Sequence, residues 1–237
     1  ILNFMSNKSK EVVIVRAIRT PIGTYKGSLR AIKSHQLGSI VIKEVLKSSK
    51  FNKDEIDEVI MGQVLTAGAG QNPARQAAIN AGIPISKPAH IVNQVCGSGL
   101  RAVISGYQSI KLGESTNIIS GGQENMSIAP HSIFFRDEKK ISEDKLLDTM
   151  INDGLMDAFN CYHMGVTAEN IAKKFNISRQ HQDEFALNSQ KKTEAAYLKN
   201  KFDDEIIKID QDGSILNKDE HPRIGLEIAD LKKLKTV

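Results

Sequence analysis

Apolar residues in the first half of the chain follow two alternating periods. Short runs rich in β-branched residues predict strands, and these runs occur at 11–15, 59–64, 89–92 and 117–120. Between them, apolar residues recur every three or four positions, which predicts helices at 36–46, 72–81 and 100–112 and a short helical turn at 54–58. Strands that alternate with helices in this way indicate a layered α/β domain.

The pattern changes after residue 122. The stretch at 126–153 shows no clean period of either kind. Beyond it the sequence predicts two amphipathic helices at 166–175 and 180–199, a short strand at 206–209 and a turn-rich stretch at 210–222. We therefore expect an α/β core at residues 1–122 and a second, helix-rich domain at residues 123–237.

Composition narrows the class of protein. The apolar fraction of 40% and the charged fraction of 25% are those of an ordinary globular protein, with a net charge of only +4. No segment has the apolar length of a membrane span, so we expect no membrane partner. The two cysteines lie far apart with no C-x-x-C pair, which fits a reducing, cytoplasmic location. Lysine pairs such as Lys191-Lys192 lack interleaved aromatic residues, which excludes a nucleic-acid partner. The first methionine is Met5, where we expect the conventional start.

The most informative local pattern surrounds Cys96. A predicted strand at 89–92 ends just before it, small residues follow at 97–99, and helical spacing begins at Leu100. The thiol therefore lies at a tight turn beside a helix N-terminus, where the positive end of the helix dipole favours a thiolate. The only other thiol, Cys161, is far away and forms no C-x-x-C pair, so a zinc site and a disulfide framework are both excluded.

Several sequence blocks carry a resemblance to a known family. Residues 93–102, NQVCGSGLRA, resemble the acyl-enzyme signature of the thiolases, which are acyl-CoA acyltransferases. Further blocks follow the family order: RTPIG at 19–23, GQNPARQA at 70–77, SGGQENMS at 120–127, YHMGVTAEN at 162–170, the stretch 178–190, and DEHPR at 219–223. The resemblance implies a thiolase-like layered mixed sheet with helices, here an incomplete N-terminal half, plus an inserted α-rich loop domain from residue 123.

The same resemblance implies roles for individual residues. Cys96 resembles the nucleophile that carries the acyl group as a thioester, and His163 resembles the residue that contacts the pantetheine arm of coenzyme A. Met164 would line the acyl pocket and Arg223 would meet the adenine or phosphate end. Two more residues, Leu155 and Gln190, align with coenzyme A contacts. The His-Met pair is typical of short-chain, acetoacetyl-type members, so the implied substrates are acetyl-CoA thioesters, with no separate cofactor and no metal.

Parts of the family pattern are missing from this chain. The Gly-His-Pro block with the histidine that activates the nucleophile does not occur, and neither does the Cys-x-Gly-Gly-Gly block with the second cysteine. Cys161 does not replace that cysteine, because it lies in the stretch that resembles the loop domain. A separate C-terminal half would have to supply these groups; otherwise the chain is a catalytically inactive remnant or a coenzyme A-binding protein.

Two further expectations depend on the family comparison. A ketoacyl synthase is a weaker alternative, because its nucleophile block reads Ala-Cys-Ser where this chain has Val95-Cys96-Gly97. Thiolases are homo-oligomers, but their dimer contacts rely on a complete N-terminal half. Because the chain stops at Val237, before that half is complete, we expect apolar surface to be exposed and the isolated chain to be insoluble or chaperone-bound.

Overall fold

A three-stranded parallel sheet forms the centre of the first half of the molecule. The computed structural model describes residues 11–136, 142, 145–211 and 213–236. Strand β1 (Glu58–Gly62) lies between β2 (Ala89–Val92) and β3 (Ile118–Gly122). Val59 pairs with Ala89 on one side and with Ile119 on the other. Because all three strands are parallel, their carboxyl ends meet at one edge of the sheet.

Helices cover both faces of this sheet. Three helices belong to this layer, α1 (Ser34–Ser49), α2 (Pro73–Asn80) and α3 (Ser98–Leu112). Side chains of α1 and α2 form one buried cluster with Val59, Met61 and Ile119. Residues of the opposite strand face, such as Gly62 and Ile118, contact α3 instead. The layered α/β prediction is therefore confirmed, and the predicted helices differ from the observed ones by a few residues at most.

Local sequence signals explain where these helices begin and end. Pro73 opens α2, and the side chain of Asn72 accepts a hydrogen bond from the Arg75 backbone N–H. Helix α3 ends at Gly113, whose φ of 81° lies in the left-handed region that glycine tolerates. Local capping thus fixes these two helix ends within one residue of the predicted ranges, 72–81 and 100–112.

The strand predicted at 11–15 is wrong. This segment belongs to no sheet, and Val13, Ile14 and Val15 are 60–77% exposed. A cavity of about 490 Å³ lies between residues 12–18 and β3, with α1 and α3 completing its lining. A β-branched sequence favours an extended backbone, but a strand also needs a neighbour to receive its hydrogen bonds. The described part of the chain places no strand beside this segment.

The second half of the chain has less regular structure. Its elements are the antiparallel pair β4 (His131–Ser132) and β5 (Leu147–Asp148), a π-helical turn at Ile151–Leu155, α4 (Met164–Lys174), α5 (Arg179–Leu198), the hairpin of β6 (Ile209–Gln211) and β7 (Ser214–Leu216), and α6 (Ile228–Leu231). Both predicted helices are confirmed as α4 and α5. No helix in the described residues is long and apolar enough to cross a membrane.

The strand predicted at 206–209 is shifted along the chain. Ile206 makes only an isolated bridge to Arg19, and the strand begins at Ile209. Ile209 is buried and packs with Leu29 and Leu37, so the hairpin is attached to the first half of the chain. The division at residue 122 stays a prediction, and the expected start at Met5 lies outside the described residues.

Candidate active site

Cys96 lies in a sharp turn between a strand and a helix. Strand β2 ends at Val92 and α3 begins at Ser98, so only five residues, 93–97, make the connection. The turn holds Val95 at a φ of 48°, a conformation that a β-branched residue rarely adopts and that costs about 1–3 kcal/mol. The thiol of Cys96 is exposed at this turn. Strained backbone that presents an exposed nucleophile indicates a functional turn.

The side chain of Ser98 holds the turn closed. Its hydroxyl donates to the Val95 carbonyl at 2.6 Å and accepts from the Gln94 N–H at 2.8 Å. Two backbone bonds reinforce the turn, from Gly97 N–H to the Gln94 carbonyl and from Ser98 N–H to the Val95 carbonyl. Ser98 is itself buried. The backbone on both sides of Cys96 is therefore fixed before any substrate arrives.

Glycines let the first turn of α3 rest directly on the sheet. A Cβ at Gly62, the last residue of β1, would lie 2.3 Å from the Ser98 carbonyl carbon and 2.4 Å from the Gly99 nitrogen. A Cβ at Gly122, the last residue of β3, would lie 3.3 Å from the Gly99 Cα. No other residue fits at Gly62 without moving the helix. The glycine at the end of β1 thus sets the height of Cys96 above the sheet.

A buried polar network lies at the same carboxyl edge of the sheet, and the sequence analysis missed it. Gln63 donates through Nε2 to the Ser34 hydroxyl at 3.0 Å and accepts from Gln123 Nε2 at 2.9 Å. Gln63 and Gln123 directly follow the last residues of β1 and β3. Polar residues that come immediately after two buried strands were the available signal. The network ties the two strand ends together next to the Cys96 turn.

Glu124 extends this network with a carboxylate. One of its oxygens, Oε2, accepts from the backbone N–H of Val64 at 2.8 Å and of Leu65 at 3.2 Å. The other, Oε1, is buried without a hydrogen-bond partner among the described residues. Burial raises the pKa of Glu124 despite the opposing effect of the backbone donors. The sheet edge therefore holds a carboxyl group that is easier to protonate than an exposed glutamate.

A short hairpin brings three of the expected binding residues together. Met156 forms an antiparallel bridge with His163, which places Leu155, at the end of the π-helical turn, near Met164 at the start of α4. The Nδ1 atom of His163 accepts from the Gly165 N–H at 3.0 Å and caps α4. This bond fixes the ring and assigns the proton of a neutral imidazole to Nε2. His163 and Met164 are both exposed, so both are accessible to a ligand.

The other two expected binding residues contact each other. Gln190 on α5 accepts through Oε1 from the Arg223 backbone N–H at 2.8 Å. The Arg223 side chain is exposed, and no hydrogen bond or ion pair to it occurs among the described residues. Gln190 therefore holds the Arg223 backbone through one lone pair of Oε1, and its amide nitrogen makes no such bond.

The predicted residues thus fall into separate groups. Cys96 lies at the sheet edge, His163 and Met164 lie at the hairpin, and Arg223 lies beside α5. In the part of the chain that the structure describes, no hydrogen bond joins the Cys96 thiol to either of the other groups. The described residues also contain no cluster of three or more His, Cys, Asp or Glu side chains able to hold a metal ion.

Comparisons with known proteins show the family of this chain. Residues 12–237 match the profile of the thiolase N-terminal domain, so the chain belongs to the thiolase family, as its sequence blocks predicted. Among its relatives is the acetyl-CoA acetyltransferase of Cupriavidus necator, 53% identical over 200 residues that make up 84% of this chain and 51% of that protein. That of Pseudomonas aeruginosa is 49% identical over 232 residues, or 95% of this chain and 59% of that protein.

A eukaryotic relative gives the same result. The cytosolic acetyl-CoA acetyltransferase of Rattus norvegicus is 47% identical over 235 residues, which cover 98% of this chain and 59% of that protein. Nearly all of this chain is therefore matched, while it spans only about 51–59% of the length of these relatives.

Proposed function

We propose that this chain carries the nucleophile and coenzyme A-binding part of an acetyl-CoA acetyltransferase. The observation that supports this most strongly is the exposed Cys96 thiol, fixed on a strained strand-to-helix turn at the carboxyl edge of a parallel sheet. The names of the relatives point to acetyl-CoA as the acyl donor. A free thiol at this position suits a reducing cytoplasm.

The first half-reaction uses Cys96 directly. The thiolate attacks the carbonyl carbon of acetyl-CoA, a bond forms between Sγ and that carbon, and the bond to the coenzyme A sulfur breaks. Coenzyme A leaves and takes up the proton that Cys96 gave away, so the enzyme keeps one acetyl group as a thioester. The nearby N-terminus of α3 favours the negative charge that develops on the carbonyl oxygen.

The second half-reaction forms the carbon–carbon bond. A second acetyl-CoA loses a proton from its methyl carbon, and the resulting carbanion attacks the acetyl-Cys96 carbonyl. The Cys96 thiolate leaves and acetoacetyl-CoA is released; thiolysis runs the same steps backwards. The proton must go to a base, which the family places in the Gly-His-Pro and Cys-x-Gly-Gly-Gly blocks. Neither block occurs in these 237 residues.

The remaining residues would bind coenzyme A. The free Nε2–H of His163 is suited to donate to a carbonyl of the pantetheine arm, with Met164 and Leu155 beside the acyl group. The exposed guanidinium of Arg223 is suited to a phosphate or to stacking on adenine, because it is planar and carries fixed donors. Gln190 would act mainly by holding the Arg223 backbone.

Acetyl transfer to Cys96 is the direct test. The chain is incubated with acetyl-CoA, and the mass of the peptide that contains Cys96 is measured. We expect a gain of one acetyl group, its loss in Cys96→Ser because a hydroxyl is a far poorer nucleophile here, and its retention in the Cys161→Ser control.

The outcomes separate the possible functions. Labelling of Cys96 without acetoacetyl-CoA formation means that this chain performs the first half-reaction and needs a further polypeptide for the second. A chain that binds coenzyme A but accepts no label is a binding protein or an inactive remnant. Equal labelling of the Cys96→Ser variant would refute the role of Cys96.

A further inference from the structure

One face of α5 holds the segment that contains Arg223. Gln190, Glu194 and Tyr197 are four and three positions apart, so their side chains share a face of the helix. Gln190 accepts from the Arg223 N–H at 2.8 Å, and Glu194 lies 3.4 Å from the Gly225 nitrogen. The backbone on both sides of the Arg223 side chain is thereby attached to one helix.

Two acidic residues attach the same segment to residues 19–28, near the other end of the chain. These residues are Asp219 and Glu220, and together we call them the acidic clasp. Asp219 receives both terminal nitrogens of Arg19, at 2.6 and 3.0 Å, and the Ile22 N–H at 2.8 Å. The Tyr197 hydroxyl donates to Asp219 at 2.8 Å. Burial would raise the pKa of Asp219, but the Arg19 guanidinium and the other donors lower it overall, so the carboxylate is charged at neutral pH.

The second residue of the acidic clasp captures a loop. Glu220 accepts from the Thr24 N–H at 2.8 Å, the Ser28 N–H at 3.2 Å and the Ser28 hydroxyl. A Cβ at Gly27 would lie 2.4 Å from the Glu220 carboxylate, so only glycine leaves room for this contact. These donors from the loop at 24–28 stabilise the negative charge of the Glu220 carboxylate.

Arg223 follows the acidic clasp by three residues. Its backbone N–H is bonded to Gln190, whereas its guanidinium has no hydrogen bond or ion pair in the residues that the structure describes. A cationic group with a fixed origin and free donors is preorganised for an anion, since less freedom is lost when it binds.

We infer that Asp219 and Glu220 are positioning residues that hold Arg223 in place for the phosphate-bearing end of coenzyme A. The inference rests on the proposed function, and it adds residues that affect coenzyme A binding only through Arg223. Arg19 and Tyr197 share this role through Asp219. The clasp therefore makes coenzyme A affinity depend on residues at the other end of the chain.

A double-mutant cycle on coenzyme A binding tests the inference. Calorimetry gives the Kd of coenzyme A for the unmodified chain, Asp219→Asn, Arg223→Ala and the double variant. We expect Arg223→Ala to weaken binding by about tenfold, the loss of one charge-assisted contact. Asp219→Asn should weaken it several-fold, and the double variant should bind no more weakly than Arg223→Ala alone. A change that merely loosened the fold would add to the effect of Arg223→Ala.

The matched control is Asp183→Asn. Asp183 pairs with Arg179 at 2.8 Å, at the other end of α5, and does not touch the segment at 219–225. It should leave the Kd unchanged. If Asp219→Asn does not fold, Tyr197→Phe removes only the hydroxyl that bonds Asp219 and should give a smaller loss that also disappears in the Arg223→Ala background.

Each outcome has a distinct meaning. Weak binding by Arg223→Ala together with normal binding by Asp219→Asn would overturn the positioning role and leave the proposed function standing. Additive losses in the double variant would also overturn the positioning role. Absence of coenzyme A binding by the unmodified chain would refute both the proposed function and this inference.

Discussion

The close contact between the end of β1 and the start of α3 predicts a large effect for Gly62→Ala. The new Cβ would lie 2.3 Å from the Ser98 carbonyl carbon, 2.4 Å from the Gly99 nitrogen and 2.5 Å from the Ser98 oxygen. Carbon atoms pack at about 3.5–4.0 Å, so the first turn of α3 must retreat by roughly 1 Å. All three neighbours are backbone atoms, which means that no side chain can rotate away to relieve the overlap.

The expected loss in the free energy of unfolding can be estimated and compared with a matched control. Overpacking of this kind lowers the free energy of unfolding by about 1–3 kcal/mol. Gly121→Ala is the control, because a Cβ at that position on β3 meets nothing within 4 Å. Both variants reduce the freedom of the unfolded chain equally, so their difference isolates the clash. Urea unfolding measures that difference.

The same variant should also disturb the nucleophile. A shift in α3 moves the turn that carries Cys96, so the rate of its alkylation should change in Gly62→Ala and stay constant in Gly121→Ala. The exposed Cys161 is replaced by serine in both variants so that only Cys96 reacts. If Gly62→Ala unfolds within about 0.5 kcal/mol of Gly121→Ala and alkylates at the same rate, the close contact does not position Cys96.

Three further predictions follow from the polar contacts. The folded-state pKa of Asp219 is below its usual value, so the stability that its charge contributes is present above the unfolded-state pKa and is lost as the pH falls through the folded-state pKa. Asp219→Asn should therefore lose less stability than the unmodified chain when unfolding is measured at decreasing pH, and equal slopes would contradict this. Burial raises the pKa of Glu124, so Glu124→Gln should have the higher free energy of unfolding at pH 7. This excess stability should vanish once the pH falls below the unfolded-state pKa, and a stability difference that stays constant with pH would show that the charge is not responsible. Asn125 donates through Nδ2 to the carbonyls of the turn at 29–32, at distances of 2.6–3.2 Å. Asn125→Asp removes these donors, so it should lower the free energy of unfolding in urea by about 1–3 kcal/mol or more. A loss below about 0.5 kcal/mol would argue against this role.

The parts of the fold that were predictable from the sequence are those with local causes. The positions of α2 and α3 follow from apolar spacing together with Pro73 and Gly113, which act within a turn of the helix ends. The Cys96 turn follows from a short apolar run, small residues and the start of a helical period, all within about twenty positions. Prediction succeeded there because the residues that determine the structure are neighbours in the chain.

The errors have a common physical origin in missing partners. The segment at 11–15 has the composition of a strand, but a strand exists only where a neighbour completes its hydrogen bonds. The strand predicted at 206–209 begins instead at Ile209, because pairing with β7 and burial against Leu37 decide which residues become extended. Neither requirement can be read from a window of adjacent residues.

The candidate site shows the same division between local and distant causes. The Cys96 turn was predicted from its immediate neighbours, whereas the contact between Arg19 and Asp219 was not, since the two residues are 200 positions apart. A nucleophile depends on backbone geometry, which a short turn can set. A binding group for a long ligand such as coenzyme A must be placed far from that nucleophile, and only contacts between distant segments can fix such a separation. The contacts of the acidic clasp join such distant segments, and no window of adjacent residues could predict them.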